Sequence, residues 1–243
     1  MLLSPTKSTT GTWNMLRLDN VTLFAHTGLA DKTGTKKLLR SLKHSASEAN
    51  FRAVKIIAPK AALDIISGDC DEIETVECPV ADRIGYSRFS IEELVNYIDT
   101  DYCVNVQEDS GIVNPDLWDD QFLEYDYIGA PWPNTDFASR IGNGGFSLRS
   151  RKFLEASAEL TYQAEPRGPG SHCAPEDWFL CVLNYRHMID RGIKFPSVRL
   201  AASFAVEHPM DIHPYDRDDV STYDSFGFHA DFNTGGMKKI HGD

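Results

Sequence analysis

The chain has 243 residues, and its 24 basic side chains against 36 acidic ones give a formal net charge of −12. This balance argues against a nucleic-acid-binding surface, because no basic field is present to collect phosphates. The five cysteines form no CxxC pair, so we expect neither a disulfide framework nor a zinc centre, and a reducing compartment suits the chain best. The length and the 42% hydrophobic content suit one α/β domain.

The N-terminal segment is polar and lacks the basic and apolar regions of a signal peptide. No hydrophobic run reaches the length that spans a membrane. We therefore predict a cytoplasmic protein without an integral membrane segment. Residues 1–19 are expected to form a polar lead-in that can be disordered, and residues 20–243 a single domain.

The first predicted elements form a β-α-β unit. Residues 20–28 are apolar and β-branched and end at a glycine, which predicts a buried strand. A helix follows, with one apolar stripe from Leu38 through Leu42 to Ala46, and then a second strand that Pro59 ends. This order predicts a parallel sheet with helices packed against it.

The alternation continues through the middle of the chain. Apolar residues from Ile91 to Ile98 recur at helical spacing, and Ser90 with Glu93 is placed as a capping box at the start of that helix. Residues 102–106 predict a third buried strand. Two further strands are predicted in the segments YDYIGAPW and GGFSLRS.

The C-terminal part begins with a predicted helix over 151–163 and a loop rich in Pro, Gly and Ser over 164–175. The clearest helix covers 175–191, with a proline at its start, acids in its first turn and Gly192 just past its end. Beyond it, short strands mix with polar loops. We therefore predict one α/β domain with a mostly parallel sheet and an irregular C-terminal part, with the ligand at the carboxyl ends of the strands.

An acidic turn follows the third strand. Gln107, Glu108 and Asp109 stand at the mouth of that strand beside a glycine. Hard oxygen ligands on a short turn suit Mg²⁺ or Mn²⁺, which also take water and phosphate ligands. Acidic turns after strands are very common, so the spacing alone leaves both interpretations open.

A second acidic pair begins the clearest helix. Glu176 and Asp177 follow the predicted loop, and the helix dipole favours carboxylates at that place whether or not they have a catalytic role. The alternative is a general base that takes a proton from an incoming hydroxyl.

The glycine-rich segment IGNGGFSLRS matches neither a P-loop nor a dinucleotide-binding fingerprint. Glycines this close indicate a turn that another group must approach. Arg149 and Arg151 stand just beyond it, where each can meet a phosphate or pair with an acid. Trp132, in a proline-rich segment, is a candidate stacking wall for a sugar ring, and His229 is a core histidine or a late metal ligand.

Four segments in this order, YDYIGAPWP, GNGGFSLRSRKFL, PEDWF and FGFH, closely resemble a bacterial family of unknown function, number 5672. That family is generally regarded as glycosyltransferase-like with a GT-A fold. The resemblance covers roughly residues 21–232. It implies a GT-A-like, Rossmann-like α/β domain that transfers a sugar from a nucleotide-sugar donor to a glycan or lipid-linked saccharide acceptor.

The resemblance also implies roles for particular residues. Asp109 and His229 would hold a divalent cation, Mn or Mg, although Gln107 stands where the family pattern of GT-A enzymes has the first acid of the metal turn. Asp177 would be the base of an inverting reaction, and Glu176 its partner. Further candidates are of two kinds: for the donor, His26, Thr27, Tyr86, Arg88, Gln107 and Glu108; for the acceptor or sugar, Trp132, Asn143, Gly144 and Gly145.

Two other readings of the same features stay open. A catalytically silent domain that binds a sugar or nucleotide on the same fold is favoured by the missing first acid. A nucleotidyltransferase would share the α/β sheet and a carboxylate-held metal, but HTGLADKTGTKK shows no recognisable phosphate-loop spacing.

Overall fold

The computed structural model describes residues 15–80, 82–133, 140–164 and 173–242. The strands are β1 Leu16–His26, β2 Ala49–Ala58, β3 Glu74–Glu77, β4 Tyr102–Val106, β5 Ser110–Ile112, β6 Tyr127–Gly129, β7 Phe146–Ser150, β8 Ala205–Val206 and β9 Gly227–His229. The α-helices are α1 Lys32–Glu48, α2 Lys60–Ile66, α3 Arg83–Arg88, α4 Arg151–Ala158, α5 Glu176–Trp178, α6 Tyr185–Asp190, α7 Val198–Phe204 and α8 Thr234–His241.

The central sheet has six strands in the order β3-β2-β1-β4-β7-β6. Its first four strands are parallel, as the β-α-β pattern predicts. Strand β7 runs antiparallel to β4, and β6 runs antiparallel to β7. The predicted α/β class with a mostly parallel sheet is therefore confirmed, with a reversed pair at one edge.

The first β-α-β unit shows why these segments fold as predicted. Strand β1 is buried over its last six residues, although it begins at Leu16, before the predicted start at Asn20. Asp31 caps α1 by accepting a hydrogen bond from the backbone N–H of Gly34 at 2.8 Å. Leu38 and Leu42 of its apolar stripe are buried against the sheet.

The helix in the middle of the chain begins earlier than predicted. Asp82 caps α3, and the helical path continues through a π turn, Phe89–Glu93, and a 3₁₀ turn, Leu94–Tyr97. The predicted capping box at Ser90 is therefore wrong. Ser90 is buried inside the π turn, where its hydroxyl lies 3.3 Å from Nδ1 of His26. A buried imidazole nearby, which the local sequence cannot show, determines the role of this serine.

The two helices of the C-terminal half are also shorter than predicted. Helix α4 ends at Ala158, five residues before the predicted end. Helix α5 is followed by a π turn, Phe179–Leu183, and a bend at Asn184 before α6 begins. Gly192 does follow the last turn, with a φ of +71°. Of the predicted loop at 164–175, residues 165–172 lie outside the described residues.

A small second sheet, β5-β9-β8, forms from the irregular part. Strand β9 pairs with β5, so that His229 stands directly opposite Ser110, just after the acidic turn. Two segments more than a hundred residues apart in sequence are thereby joined beside the carboxyl end of β4. No helix within the described ranges is both long enough and apolar enough to cross a membrane.

Candidate active site

A cavity of about 630 Å³ lies over the carboxyl end of β4. The start of α3 forms one wall, and the start of α5, with Glu176 and Asp177, forms the other. Gln107, Gly145 and His229 also line it. The cavity therefore lies at the carboxyl ends of the parallel strands, where open α/β folds bind their ligands.

The reversed strand β7 brings the glycine turn, Gly144 and Gly145, to the carboxyl end of β4. Because β7 is antiparallel to β4, Phe146 at its beginning pairs with Val106 at the end of β4. Gly144 and Gly145, just before β7, therefore face the acidic turn just after β4. In a fully parallel sheet the beginning of β7 would lie beside the amino end of β4.

The groups that approach the glycines are the side chains of the site itself. A Cβ on Gly144 would lie 2.6 Å from Oε1 of Glu176, and a Cβ on Gly145 would lie 2.1 Å from Nε2 of His229. Real Cβ atoms do not make contacts this short, so these positions require glycine because of space. The turn thus allows the acid pair and His229 to converge.

Asp177 is held by the backbone on both oxygens. Its Oδ2 accepts a hydrogen bond from Gly144 N at 3.0 Å, and its Oδ1 accepts one from Trp178 N at 2.6 Å. Burial and the neighbouring charge of Glu176 raise the pKa of Asp177 to about 7, although both backbone N–H groups favour the charged form. A carboxyl group with such a pKa can accept and release a proton near neutral pH.

Glu176 has a different environment, although it is next to Asp177. Its Oε1 lies 3.2 Å from a terminal nitrogen of Arg149, and the side chains of both residues are almost completely buried. The guanidinium of Arg149 also donates to Ser147 Oγ at 3.1 Å and reaches the Gly144 carbonyl at 3.4 Å. The ion pair thereby holds Arg149 in contact with the carbonyl of the glycine turn.

Replacing Arg149 by Met is expected to destabilise the fold by about 3–5 kcal/mol, because Glu176 would keep a buried charge without its partner. Urea unfolding at neutral pH measures this loss. Arg186→Met is the matched control, since Arg186 pairs with Asp190 at 3.0 Å on the surface and should cost less than about 1 kcal/mol. Equal losses in the two variants would contradict the structural role of the buried pair.

His229 lies between two carboxylates. Its Nε2 is 3.5 Å from Oδ1 of Asp109, and its Nδ1 is 3.3 Å from Oε1 of Glu207. Burial alone would lower the pKa of His229, but Glu207 and Asp109 more than offset this effect, so the pKa is raised. The structure thus brings the two predicted metal ligands together.

The donor set fits a divalent cation that binds with few protein ligands. Within the described part of the chain, no group of three or more His, Cys, Asp or Glu side chains is arranged to hold a metal. Mg²⁺ is often held by one or two carboxylates plus substrate phosphates and water. Asp109 supplies one carboxylate, and the imidazole of His229 lies beside it.

Tyr86 and Gln107 form another part of the cavity wall. Gln107 Nε2 donates a hydrogen bond to the Tyr86 hydroxyl at 2.9 Å, and both residues line the cavity. His26 lies behind Tyr86, with the two rings stacked at 4.3 Å. Burial and, to a smaller extent, Arg149 lower the pKa of His26 to about 3, so this imidazole is neutral.

The other candidate residues lie around the cavity rather than in its lining. Thr27 ends the path of β1, where its backbone N–H donates to Ile57 O. The side chains of Arg88 and Glu108 are exposed outside the cavity lining. Trp132 packs against Trp178, with ring centroids 5.8 Å apart, and covers Gly142. Asn143 is buried, and its Oδ1 accepts a hydrogen bond from Gly145 N at 3.1 Å.

Some site residues were missed by the sequence reasoning. Arg83 rather than Arg88 lines the cavity, together with Asp82 and Cys173. Glu207, which belongs to none of the motifs above, contacts His229. The signal that could have found Arg83 was the Asp82 cap, which makes α3 begin at the cavity.

A family model matches residues 72–229, about two thirds of the chain, and its description is "Protein of unknown function (DUF5672)". The chain belongs to this family. The matched segment of this DUF5672 protein contains the acidic turn, the glycine turn, the acid pair and His229, whereas β1, α1 and β2 precede it. No curated protein matches the chain.

Three solved structures illustrate what the DUF5672 chain is similar to. A glycosyltransferase involved in the glycosylation of the major capsid of PBCV-1 aligns over 90% of this chain and 98% of its own, at 11% identity and a TM-score of 0.49. S. aureus TarS 1–349 aligns over 65% of this chain and 52% of its own, at 13% identity and a TM-score of 0.41. Bifunctional IspDF from Campylobacter jejuni aligns over 60% of this chain and 45% of its own, at 13% identity and a TM-score of 0.42. The chain thus spans less than two thirds of the length of each of these two proteins.

Proposed function

We propose that this protein is a glycosyltransferase of GT-A type, which moves a sugar from a nucleotide-sugar donor to a hydroxyl of a glycan or lipid-linked saccharide. One observation carries the proposal. A carboxylate whose pKa is raised to about 7 lines the same cavity as His229, whose Nε2 faces Asp109. A proton acceptor and a candidate diphosphate-binding pair thus lie at one edge of the sheet.

In this proposal Asp177 is the general base. Its carboxylate takes the proton of the acceptor hydroxyl while the oxygen attacks the anomeric carbon, which inverts the configuration of the sugar. The two backbone N–H groups hold the carboxylate in one orientation. Glu176 is held in an ion pair with Arg149, so it orients the turn and leaves the proton transfer to its neighbour.

Asp109 and His229 would hold the divalent cation, Mn or Mg. When bound, that ion neutralises charge on the departing nucleoside diphosphate. The sheet supports this arrangement, because the acidic turn follows the last parallel strand, and the glycine turn precedes the neighbouring antiparallel strand. Gln107 and Tyr86 then face the donor, and Gly144 and Gly145 lie close to the sugar.

A second candidate is a silent nucleotide- or sugar-binding domain on the same fold. The observation in its favour is the small donor set, since Gln107 replaces an acid and the described residues contain no three-ligand cluster. It predicts binding of a nucleotide without any transfer, and without dependence on Asp177.

The proposal is tested with a thermal-shift screen of nucleoside diphosphates and nucleotide sugars, each with and without Mn²⁺. We expect one base to stabilise the protein, and to do so more strongly with the metal, because ligand binding to the folded state raises the melting temperature. Stabilisation without any metal effect would keep the donor site and contradict the role of Asp109 and His229. No stabilisation by any nucleotide would contradict the proposed function.

A further inference from the structure

The ring of Tyr86 is held in one orientation. One of its faces is stacked on His26, with ring centroids 4.3 Å apart and an angle of 9° between the planes. His26 is itself fixed, because it is buried and its Nδ1 lies 3.3 Å from the hydroxyl of Ser90. That face of Tyr86 is closed to a ligand, so only its other face, its edges and its hydroxyl group remain for contact with a ligand in the cavity.

The Tyr86 hydroxyl oxygen is used as an acceptor. It receives a hydrogen bond from Gln107 Nε2 at 2.9 Å. A phenol has one hydrogen to donate in addition to the lone pairs that accept. No described residue accepts that hydrogen, whereas Tyr86 lines the cavity. The amide of Gln107 therefore leaves the phenolic hydrogen available to a ligand.

We propose that Tyr86 donates its hydroxyl hydrogen to a phosphate oxygen of a nucleoside diphosphate in this cavity, and that Gln107 is the positioning residue that directs it there. The inference rests on the proposed function and deepens it. Phosphate oxygens only accept hydrogen bonds, which matches a group whose oxygen is already engaged. Gln107 is two residues from Asp109, so one turn would contribute both the residue that orients Tyr86 and the residue that holds the cation.

The bond to Tyr86 gives a physical reason for glutamine at position 107, where the resemblance to GT-A enzymes implies an acid. A carboxylate only accepts hydrogen bonds, so Asp or Glu at 107 would take the phenolic hydrogen for itself. The amide donates instead, and thereby reverses the direction of the bond. Burial and then the charge of Glu176 raise the pKa of Tyr86, so the hydroxyl keeps its hydrogen at neutral pH.

The test measures binding of inorganic pyrophosphate with Mg²⁺ by titration calorimetry, which needs no knowledge of the base. Tyr86→Phe removes only the hydroxyl and is expected to weaken pyrophosphate binding roughly 10-fold to 100-fold, as for a hydrogen bond to a charged acceptor. Tyr97→Phe is the matched control, because Tyr97 packs on Phe89 outside the cavity lining. The affinity of this variant for pyrophosphate should equal that of the parent protein.

A double-mutant cycle with Gln107→Glu tests the orienting role. Glutamate adds a charge, which weakens binding in any background, and it also captures the phenolic hydrogen, which matters only where Tyr86 is present. We therefore expect Gln107→Glu to weaken pyrophosphate binding at least fivefold more in the Tyr86 background than in the Tyr86→Phe background. An equal loss in both backgrounds would overturn the role of Gln107.

The remaining outcomes separate this inference from the proposed function. Binding to the parent and equally to Tyr86→Phe would overturn the Tyr86 contact and leave the glycosyltransferase proposal standing. Failure of the parent to bind pyrophosphate and every nucleoside diphosphate of the screen would contradict both. Weakened binding of pyrophosphate to Tyr86→Phe, with unchanged weak binding of the bare nucleoside, supports the phosphate as the acceptor.

Discussion

Asp177→Asn is expected to slow release of nucleoside diphosphate from the stabilising nucleotide sugar about 100-fold to 10,000-fold, the usual contribution of a positioned general base. Asparagine preserves the shape of the side chain but cannot take the acceptor proton. The thermal shift caused by the nucleotide should be retained, since in the proposed mechanism Asp177 acts on the acceptor hydroxyl and not on the nucleotide. Product release, followed chromatographically, and the thermal shift measure the two properties in the same preparation.

Two controls accompany this variant. Asp190→Asn makes the same chemical change at an exposed carboxylate that pairs with Arg186, and should leave the rate unchanged. In the parent, the rate at subsaturating donor should rise with pH up to about 7 and then level, because the base acts in its deprotonated form and its pKa is raised to about 7. A rate that falls as the pH rises from 5 to 7 would contradict a base at this position.

Gly145→Ala is expected to destabilise the fold by about 1–3 kcal/mol and to remove the metal-dependent part of the nucleotide stabilisation. The added methyl group would lie 2.1 Å from His229 Nε2, and that ring is confined between Asp109 and Glu207. The ring must therefore shift, which changes its position relative to Asp109. Urea unfolding measures the first effect, and the Mn²⁺-dependent shift in melting temperature measures the second.

Gly68→Ala is the matched control for that variant. A Cβ at Gly68 would meet no atom within 4 Å, so alanine there should leave the stability unchanged or raise it slightly. If Gly145→Ala behaved like Gly68→Ala in both measurements, the convergence of the turn and the histidine would have no consequence for binding.

Strands β1, β2 and β4 were predictable because each is an apolar run followed closely by a glycine, a proline or an acid, whereas β3 has the sequence Glu-Thr-Val-Glu and was not predicted. Burial on the sheet requires such a run, so the sequence of β1, β2 and β4 shows their position directly. The direction of β7 was not predictable, because its residues would fit a parallel strand equally well. Its pairing with β4 depends on where the chain returns after β6, which local pattern does not encode.

The candidate site was predictable in its parts and not in its geometry. Asp109, His229 and Asp177 are residue types suited to metal binding and proton transfer, but each also has an ordinary structural explanation in its own segment. Their proximity follows from pairings between distant segments, such as β5 with β9. The ion pair of Arg149 and Glu176 was out of reach for the same reason, since it joins a strand to a helix 27 residues later.

The reversed direction of β7 also affects how this fold can accommodate insertions. Since β6 and β7 are antiparallel neighbours, the connection between them leaves and returns at the same edge of the sheet, beside the acid pair. Trp132 and Gly142 both belong to this connection, and the ring of Trp132 covers Gly142. Added residues in such a connection do not displace either strand. The length of this connection can thus change while the strands that position Gly144 and Gly145 stay in place.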